Sequence, residues 1–185
     1  MRAFDLYNFF MINDKYNNLI SKQNYSKKEI IDGVMIKEHS TFNDDGGSFC
    51  EVFKIDDNFK PFEIDINIKQ CSWSIVEPNV VKAFHIHKKQ FDLWFVPASE
   101  KLLIGLFDVR ENSPSFEKQM RFVMGSGKSQ LLLIPNGVAH GYANVTNEKQ
   151  SLIYFTSEKF DINDNDEYRL PWNILGEDFW NMKKE

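Results

Sequence analysis

What most constrains the fold of this chain is a punctuated rhythm of short apolar runs. Each run is only a handful of residues long and is closed by Asn, Asp, Gly, Pro or Ser. The runs predict strands at Gly33–Lys37, Phe49–Lys54, Phe62–Ile68, Gln70–Val76, Val80–His85, Leu93–Val96, Lys101–Val109, Gln130–Ile134, Ala139–Val145 and Leu152–Phe155. Turn signals separate them at Asn43–Gly47, Pro97–Ser99, Asn112–Ser115, Gly125–Gly127 and Pro135–Gly137. Many short strands at this spacing indicate an antiparallel sandwich or barrel. Residues 1–28 read as a helical or irregular extension, with Phe9, Phe10, Ile12 and Tyr16 as one apolar stripe. The tail DINDNDEYRLPWNILGEDFW is polar and then aromatic, and is expected to lie over the barrel.

A length of 185 residues, 42% of them hydrophobic, suffices for one sizeable core and points to a single domain spanning 1–185. Neither an internal repeat nor a linker interrupts it. The net charge is -5, from 22 Lys+Arg against 27 Asp+Glu, and no basic cluster stands out. That argues against a nucleic-acid partner, but anionic small ligands need only a few local cations. Cys50 and Cys71 are the only cysteines. Two make neither a disulfide framework nor a cysteine-based zinc site. The apolar stretch at the N-terminus is short and broken by Asn and Asp. Nothing in the chain approaches the roughly 18 apolar residues of a membrane helix. The expectation is a cytoplasmic, reduced protein without a membrane partner.

Three of the four histidines fall in two short segments. KAFHIHKKQFDLW holds Lys82, His85, His87, Gln90 and Asp92; IPNGVAHGYANV holds His140. Residues two apart on a strand share a face, so His85 and His87 can address one cavity while Ile86 faces away. Two imidazoles beside a carboxylate fit either a metal site or a general base with tuned partners. His39 stands alone in a polar stretch and reads as a surface residue.

These segments resemble a cupin, an all-β double-stranded β-helix or jelly-roll barrel, here with short helical N- and C-terminal extensions. Within cupins the chain is most similar to the dTDP-4-dehydrorhamnose 3,5-epimerases and related nucleotide-sugar epimerases. The likeness runs from about Ile31 to Trp180. DDGGSFCE (44–51), QCSWS (70–74), KAFH (82–85), DVRENSPS (108–115), PNGVAHGY (135–142) and SLIY ending at Tyr154 follow the family's motifs in order. The resemblance implies a barrel over 31–160 and a tail over 161–185. It also implies a homodimer, no cofactor and a metal-free site. A 4-keto group acidifies the protons on C3 and C5 of a 6-deoxy sugar; a base removes one, and an acid returns a proton to the opposite face. By resemblance His85 is the base and Tyr154 the acid. Phe49 and Glu51 would contact the nucleotide base. Gln70, Ser72, Lys82, His87, Asp92 and His140 would line the sugar and diphosphate. The product would serve O-antigen or another surface polysaccharide.

Several positions depart from the family pattern. Gly46 stands where the family has Arg, and Lys82 keeps a charge but loses a bidentate fork. Asp92 takes the place of a lysine that lies near the developing enolate, where a carboxylate would repel charge. The family pairs its base with a C-terminal aspartate. PWNILGEDFW resembles the region before that aspartate, and Asp178 falls too early to match it. Three other readings follow. FHIHKK also resembles nucleotide-sugar 3,4-ketoisomerases. His85, His87, Asp92 and His140 match the metal-cupin spacing, whose donors suit Fe, Mn, Ni, Cu or Zn. A non-catalytic sugar-nucleotide-binding module would also tolerate the lost cations.

Overall fold

A computed structural model describes residues 12–22, 30–54, 61–62 and 64–182. Among the described residues twelve strands follow in order: β1 (Met35–His39), β2 (Phe42–Asp44), β3 (Gly47–Phe49), β4 (Gln70–Val76), β5 (Val81–Ile86), β6 (Asp92–Val96), β7 (Lys101–Asp108), β8 (Gln119–Gly125), β9 (Ser129–Ile134), β10 (Val138–Ala143), β11 (Gln150–Thr156) and β12 (Tyr168–Arg169). One antiparallel sheet has the order β1-β9-β6-β11-β4, a second β12-β5-β10-β7-β8, and β2-β3 form a separate hairpin. Among the described residues the helical parts are the four-residue α1 (Asp14–Asn17) and a 3-10 turn at Glu177–Trp180. The fold is nearly all β, as the punctuation predicts.

Side chains alternate between three apolar layers. Val76, Trp94, Val96, Leu102, Ile104, Leu132, Val138 and Leu152 meet in the space between the two large sheets. Leu93, Phe95, Leu131 and Leu133 point the other way, and are covered by Cys50, Val52, Phe53, Phe62, Ile64, Ile66 and Ile68. On the far side Phe84, Leu103, Ala139 and Ala143 are covered by Leu170, Leu175, Phe179 and Trp180 of the tail. Both faces of the central strands are therefore buried. That is why β6, β9 and β10 read as continuous apolar runs rather than as alternating ones.

Several boundaries differ from the sequence reading. β8 is an edge strand with a half-exposed face, so Gln119 and Arg121 dilute its apolar signal. Of the strands predicted at Phe49–Lys54 and Phe62–Ile68, only Phe49 belongs to a strand; the other described residues pack as irregular cover. Phe9 and Phe10 lie outside the described residues, while Ile12 and Tyr16 are exposed and form no buried stripe. His39 is half-buried, with its ring edge-on to Phe95, rather than on the open surface.

One irregularity shapes the site. β5 and β10 pair His85 with His140 and Lys82 with Tyr142, so three steps along β5 match two along β10. This bulge turns Lys82 and His85 toward the same cavity, although odd spacing would put them on opposite faces of a regular strand. Gly141 permits it: a Cβ there would lie 2.3 Å from the Cβ of Ala83 and 2.7 Å from the carbonyl oxygen of Lys82.

Candidate functional site

A cavity of about 760 Å³ opens between the two large sheets. Gln70, Ser74, Asp92, Trp94, Tyr154 and Thr156 line it from the first sheet. Lys82, His85, His140 and Tyr142 line it from the second, and residues from Glu158 to Arg169 close one side. His87 and Gln90, just past β5, complete it.

His85 is oriented by the tail. β12 pairs with β5, placing Arg169 opposite His85. Glu167 Oε1 then lies 3.0 Å from His85 Nδ1 and accepts 2.9 Å from Arg169 Nη2. With Nδ1–H donating to a carboxylate, the neutral ring keeps its lone pair on Nε2. Burial lowers the His85 pKa, and the Arg169 charge lowers it further against the opposing pull of Glu167. The His85 imidazole is therefore neutral at neutral pH. Glu167 stays ionised, because Arg169 and His85 offset its burial.

His140 sits on the inner face of β10 and is 3% exposed. Its Nδ1 donates to the Val138 carbonyl at 2.9 Å. Burial pushes its pKa down to about 4, so it too is neutral. His87 donates Nδ1–H to the carbonyl of Asp166. The Asp166 carboxylate accepts the backbone N–H groups of Lys88, Lys89 and Gln90 at 3.0, 2.7 and 3.0 Å, which pins the turn between β5 and β6. Asp92, 4% exposed, accepts from Gln90 Nε2 at 2.7 Å and from Trp94 Nε1 at 3.0 Å.

Tyr154 reaches the cavity from β11, in the sheet facing His85. A proton can thus leave toward one wall and return from the other. Lys82 Nζ donates to Ser74 Oγ at 3.2 Å and to the Ile75 carbonyl at 3.0 Å, and Ser74 Oγ is 2.7 Å from Tyr142 Oη. Burial raises the Tyr142 pKa, so that phenol keeps its proton.

The structure brings together most of the residues singled out in the sequence: His85, Tyr154, Gln70, Lys82, His87, Asp92 and His140. Three do not line the cavity of this chain. Ser72 lies beside it and accepts from Gln70 Nε2 at 3.2 Å. Phe49, 64% exposed, stands on the β2-β3 hairpin, and Glu51 follows it, also exposed. Asp178 bonds to Asn181 and not to His85. Glu167, Asp166 and Arg169 were missed by the sequence reading. Their partners lie some 80 residues upstream, and no local spacing announces such a pairing. The DVRENSPS motif has a structural role. Buried Asp108 accepts from Arg110 Nε and Nη2 at 2.8 Å each, and from Ser113 and Ser115 Oγ at 2.6 Å each.

Residues 28–176 match the family model described as dTDP-4-dehydrorhamnose 3,5-epimerase. The spore coat polysaccharide biosynthesis protein SpsL of Bacillus subtilis is 40% identical over 144 residues, covering 78% of this chain and 91% of that protein. The probable low-salt glycan biosynthesis epimerase Agl13 of Haloferax volcanii is 30% identical, covering 77% and 89%. Among solved structures, the 3'-monoepimerase ChmJ of Streptomyces bikiniensis, in complex with dTDP-quinovose, shares the fold. Its TM-score is 0.69 at 19% identity, over 84% of this chain and 78% of that one. Taken with the ordered motifs and the cavity that they line, these matches place the chain in the dTDP-4-dehydrorhamnose 3,5-epimerase family.

Proposed function

We propose that the protein epimerises C3, C5 or both on a nucleotide-linked 4-keto-6-deoxy sugar. The observation that carries this reading is the His85–Glu167 pair on one wall of the cavity, with Tyr154 on the other. His85 Nε2 takes the proton alpha to the ketone, and the electron pair moves onto the keto oxygen. Tyr154 returns a proton to the opposite face, which inverts the carbon. Lys82, Lys89, Lys159 and Arg169 line the same cavity and supply cations for a diphosphate. SpsL and Agl13, named for coat polysaccharide and glycan biosynthesis, support a product destined for a surface polysaccharide.

We also propose one domain acting as a cytoplasmic homodimer. Exposed Phe42, Phe49, Trp73 and Ile75 offer apolar surface for a second copy, which would also bring further groups such as Phe49 and Glu51 within reach of a site. Light scattering of the purified protein tests the dimer.

The function is tested by incubating the protein in D2O with 4-keto-6-deoxy sugars on several nucleotides, followed by mass spectrometry and proton NMR. Deuterium with an inverted centre is the expected result and identifies the carbon. A carbonyl moved to C3 would instead establish a ketoisomerase. His85→Ala is expected to abolish exchange at every carbon, and full activity in that variant would sink the reading.

A further inference from the structure

Tyr142 is a nearly buried phenol to which the reaction above gives no task, although it lines the same cavity as His85. It lies two residues from His140 on β10, and the register pairs His140 with His85 and Tyr142 with Lys82. Tyr142 therefore stands one pair along from His85. Trp94 meets the rings of Tyr142 and His140 edge-on, each with centroids 5.3 Å apart. Tyr142 Oη is 2.7 Å from Ser74 Oγ, and Lys82 Nζ donates to that same Oγ at 3.2 Å. With one Ser74 lone pair taken by Lys82, the Ser74 hydroxyl can donate to Tyr142 Oη, which leaves the phenolic O–H for the cavity. Burial raises the Tyr142 pKa against the pull of the Ser74 bond, and nearby Tyr154 raises it further, so the phenol holds its proton.

The polar groups beside it are acceptors. His87 and His140 give their Nδ1 protons to the carbonyls of Asp166 and Val138, so both Nε2 atoms accept. Asp92 accepts from Gln90 and Trp94. A ketone that loses an alpha proton to His85 gathers negative charge on its oxygen, and none of these three groups can meet it. We propose that Tyr142, backed by Ser74 and Lys82, is a catalytic residue that donates to the keto oxygen of the bound sugar; this rests on the epimerase reading above. As His85 Nε2 takes the proton, the C–H electron pair forms a C=C bond and the carbonyl π pair moves onto the oxygen. The phenolic O–H hydrogen-bonds that oxygen and keeps its own proton, so no proton has to be returned to it. The Lys82 charge at the head of the chain polarises Ser74 and Tyr142 and strengthens the last bond. Diagonal neighbours on paired strands lie about 7–8 Å apart. One ketone bridges that span when its alpha C–H meets a base and its oxygen meets a donor. C3 and C5 flank the same carbonyl, so a single donor serves deprotonation at either carbon.

The experiment compares the unmodified protein with Tyr142→Phe, which keeps the ring against Trp94 and removes only the hydroxyl. Deuterium exchange is followed in D2O with 4-keto-6-deoxy sugars on dTDP, GDP, CDP and UDP. The kcat for exchange should fall about a hundredfold or more, the usual loss for one donor to a developing oxyanion. KM should change by less than about threefold, because the bond strengthens only as the charge develops. The ratio of inversion to exchange should stay as in the unmodified protein, since the proton still returns from Tyr154. Ser74→Ala leaves the phenol in place but cuts it from Lys82, and should lower kcat about tenfold. Undiminished kcat in Tyr142→Phe, or a loss confined to KM and melting temperature, overturns the role of Tyr142. Undiminished kcat in Ser74→Ala overturns the chain from Lys82. If the unmodified protein exchanges no deuterium on any of these sugars, the epimerase reading fails, and the role of Tyr142 with it.

Discussion

Glu167 Oε1 stands 3.0 Å from Nδ1 of His85 and accepts Nη2 of Arg169 at 2.9 Å. One carboxylate therefore orients the His85 imidazole, while Arg169 keeps that carboxylate ionised. Because Glu167 raises the His85 pKa against burial, Glu167→Gln should lower it further. The acid limb of kcat/KM, which already lies below the usual histidine value near 6.5, should shift to lower pH. At the same time kcat should fall about a hundredfold, because an amide neither fixes the ring tautomer nor stabilises the imidazolium as a carboxylate does. A pH–rate profile of the variant checks both; an unmoved limb would remove Glu167 from this role.

Tyr154 and His85 approach the cavity from different sheets, so the steps proposed for them are separable. Tyr154→Phe should leave deuterium exchange at the carbon that His85 deprotonates and lower inversion by about a hundredfold or more. Comparing exchange with inversion by NMR distinguishes this from a collapsed site, in which both would fall together.

Asp108 is fully buried and is held well below the usual carboxylate range. Burial opposes that ionisation, but the donors from Arg110, Ser113 and Ser115 outweigh it. Its folded pKa is depressed, so its stabilisation is complete above the unfolded value near 4 and is lost as pH falls below it. Asp108→Asn should cost about 3 kcal/mol at neutral pH, by leaving the Arg110 guanidinium without the buried carboxylate that balances its charge. The variant should also unfold with a shallower acid dependence in urea titrations. Asp166 and Glu167 are depressed too, so the dependence should flatten without vanishing.

Gly141 is the contact point of the β5 bulge. Gly141→Ala should push β5 away from β10 and misplace both Lys82 and His85. A loss of kcat at least tenfold, with a lower melting temperature, is expected. Melting curves and the exchange assay together check it.

Much of this molecule was legible in the chain. β4 occupies the predicted Gln70–Val76, and β6, β7 and β9 fall within two residues of their predicted positions, because apolar runs bounded by turn residues report local backbone preference. β8 and β12 were not legible. The first carries Gln119 and Arg121 on a half-exposed face, which breaks its apolar signal, and the second is a strand of only two residues whose existence depends on pairing with β5.

The site divides in the same way. His85, His87, Asp92, His140 and Tyr154 could be picked out because motif order and period-two alternation are local properties of a strand. That Lys82 joins His85 in one cavity depends on a register shift between β5 and β10, which the spacing of the residues contradicts. That Glu167 orients His85, and Asp166 fixes His87, depends on the tail returning across some 80 residues. Sequence alone determined the strands and the candidate chemistry, through backbone preference and side-chain type. Tertiary structure decided which groups meet and which nitrogen of each histidine is free, because hydrogen bonds between distant segments set those.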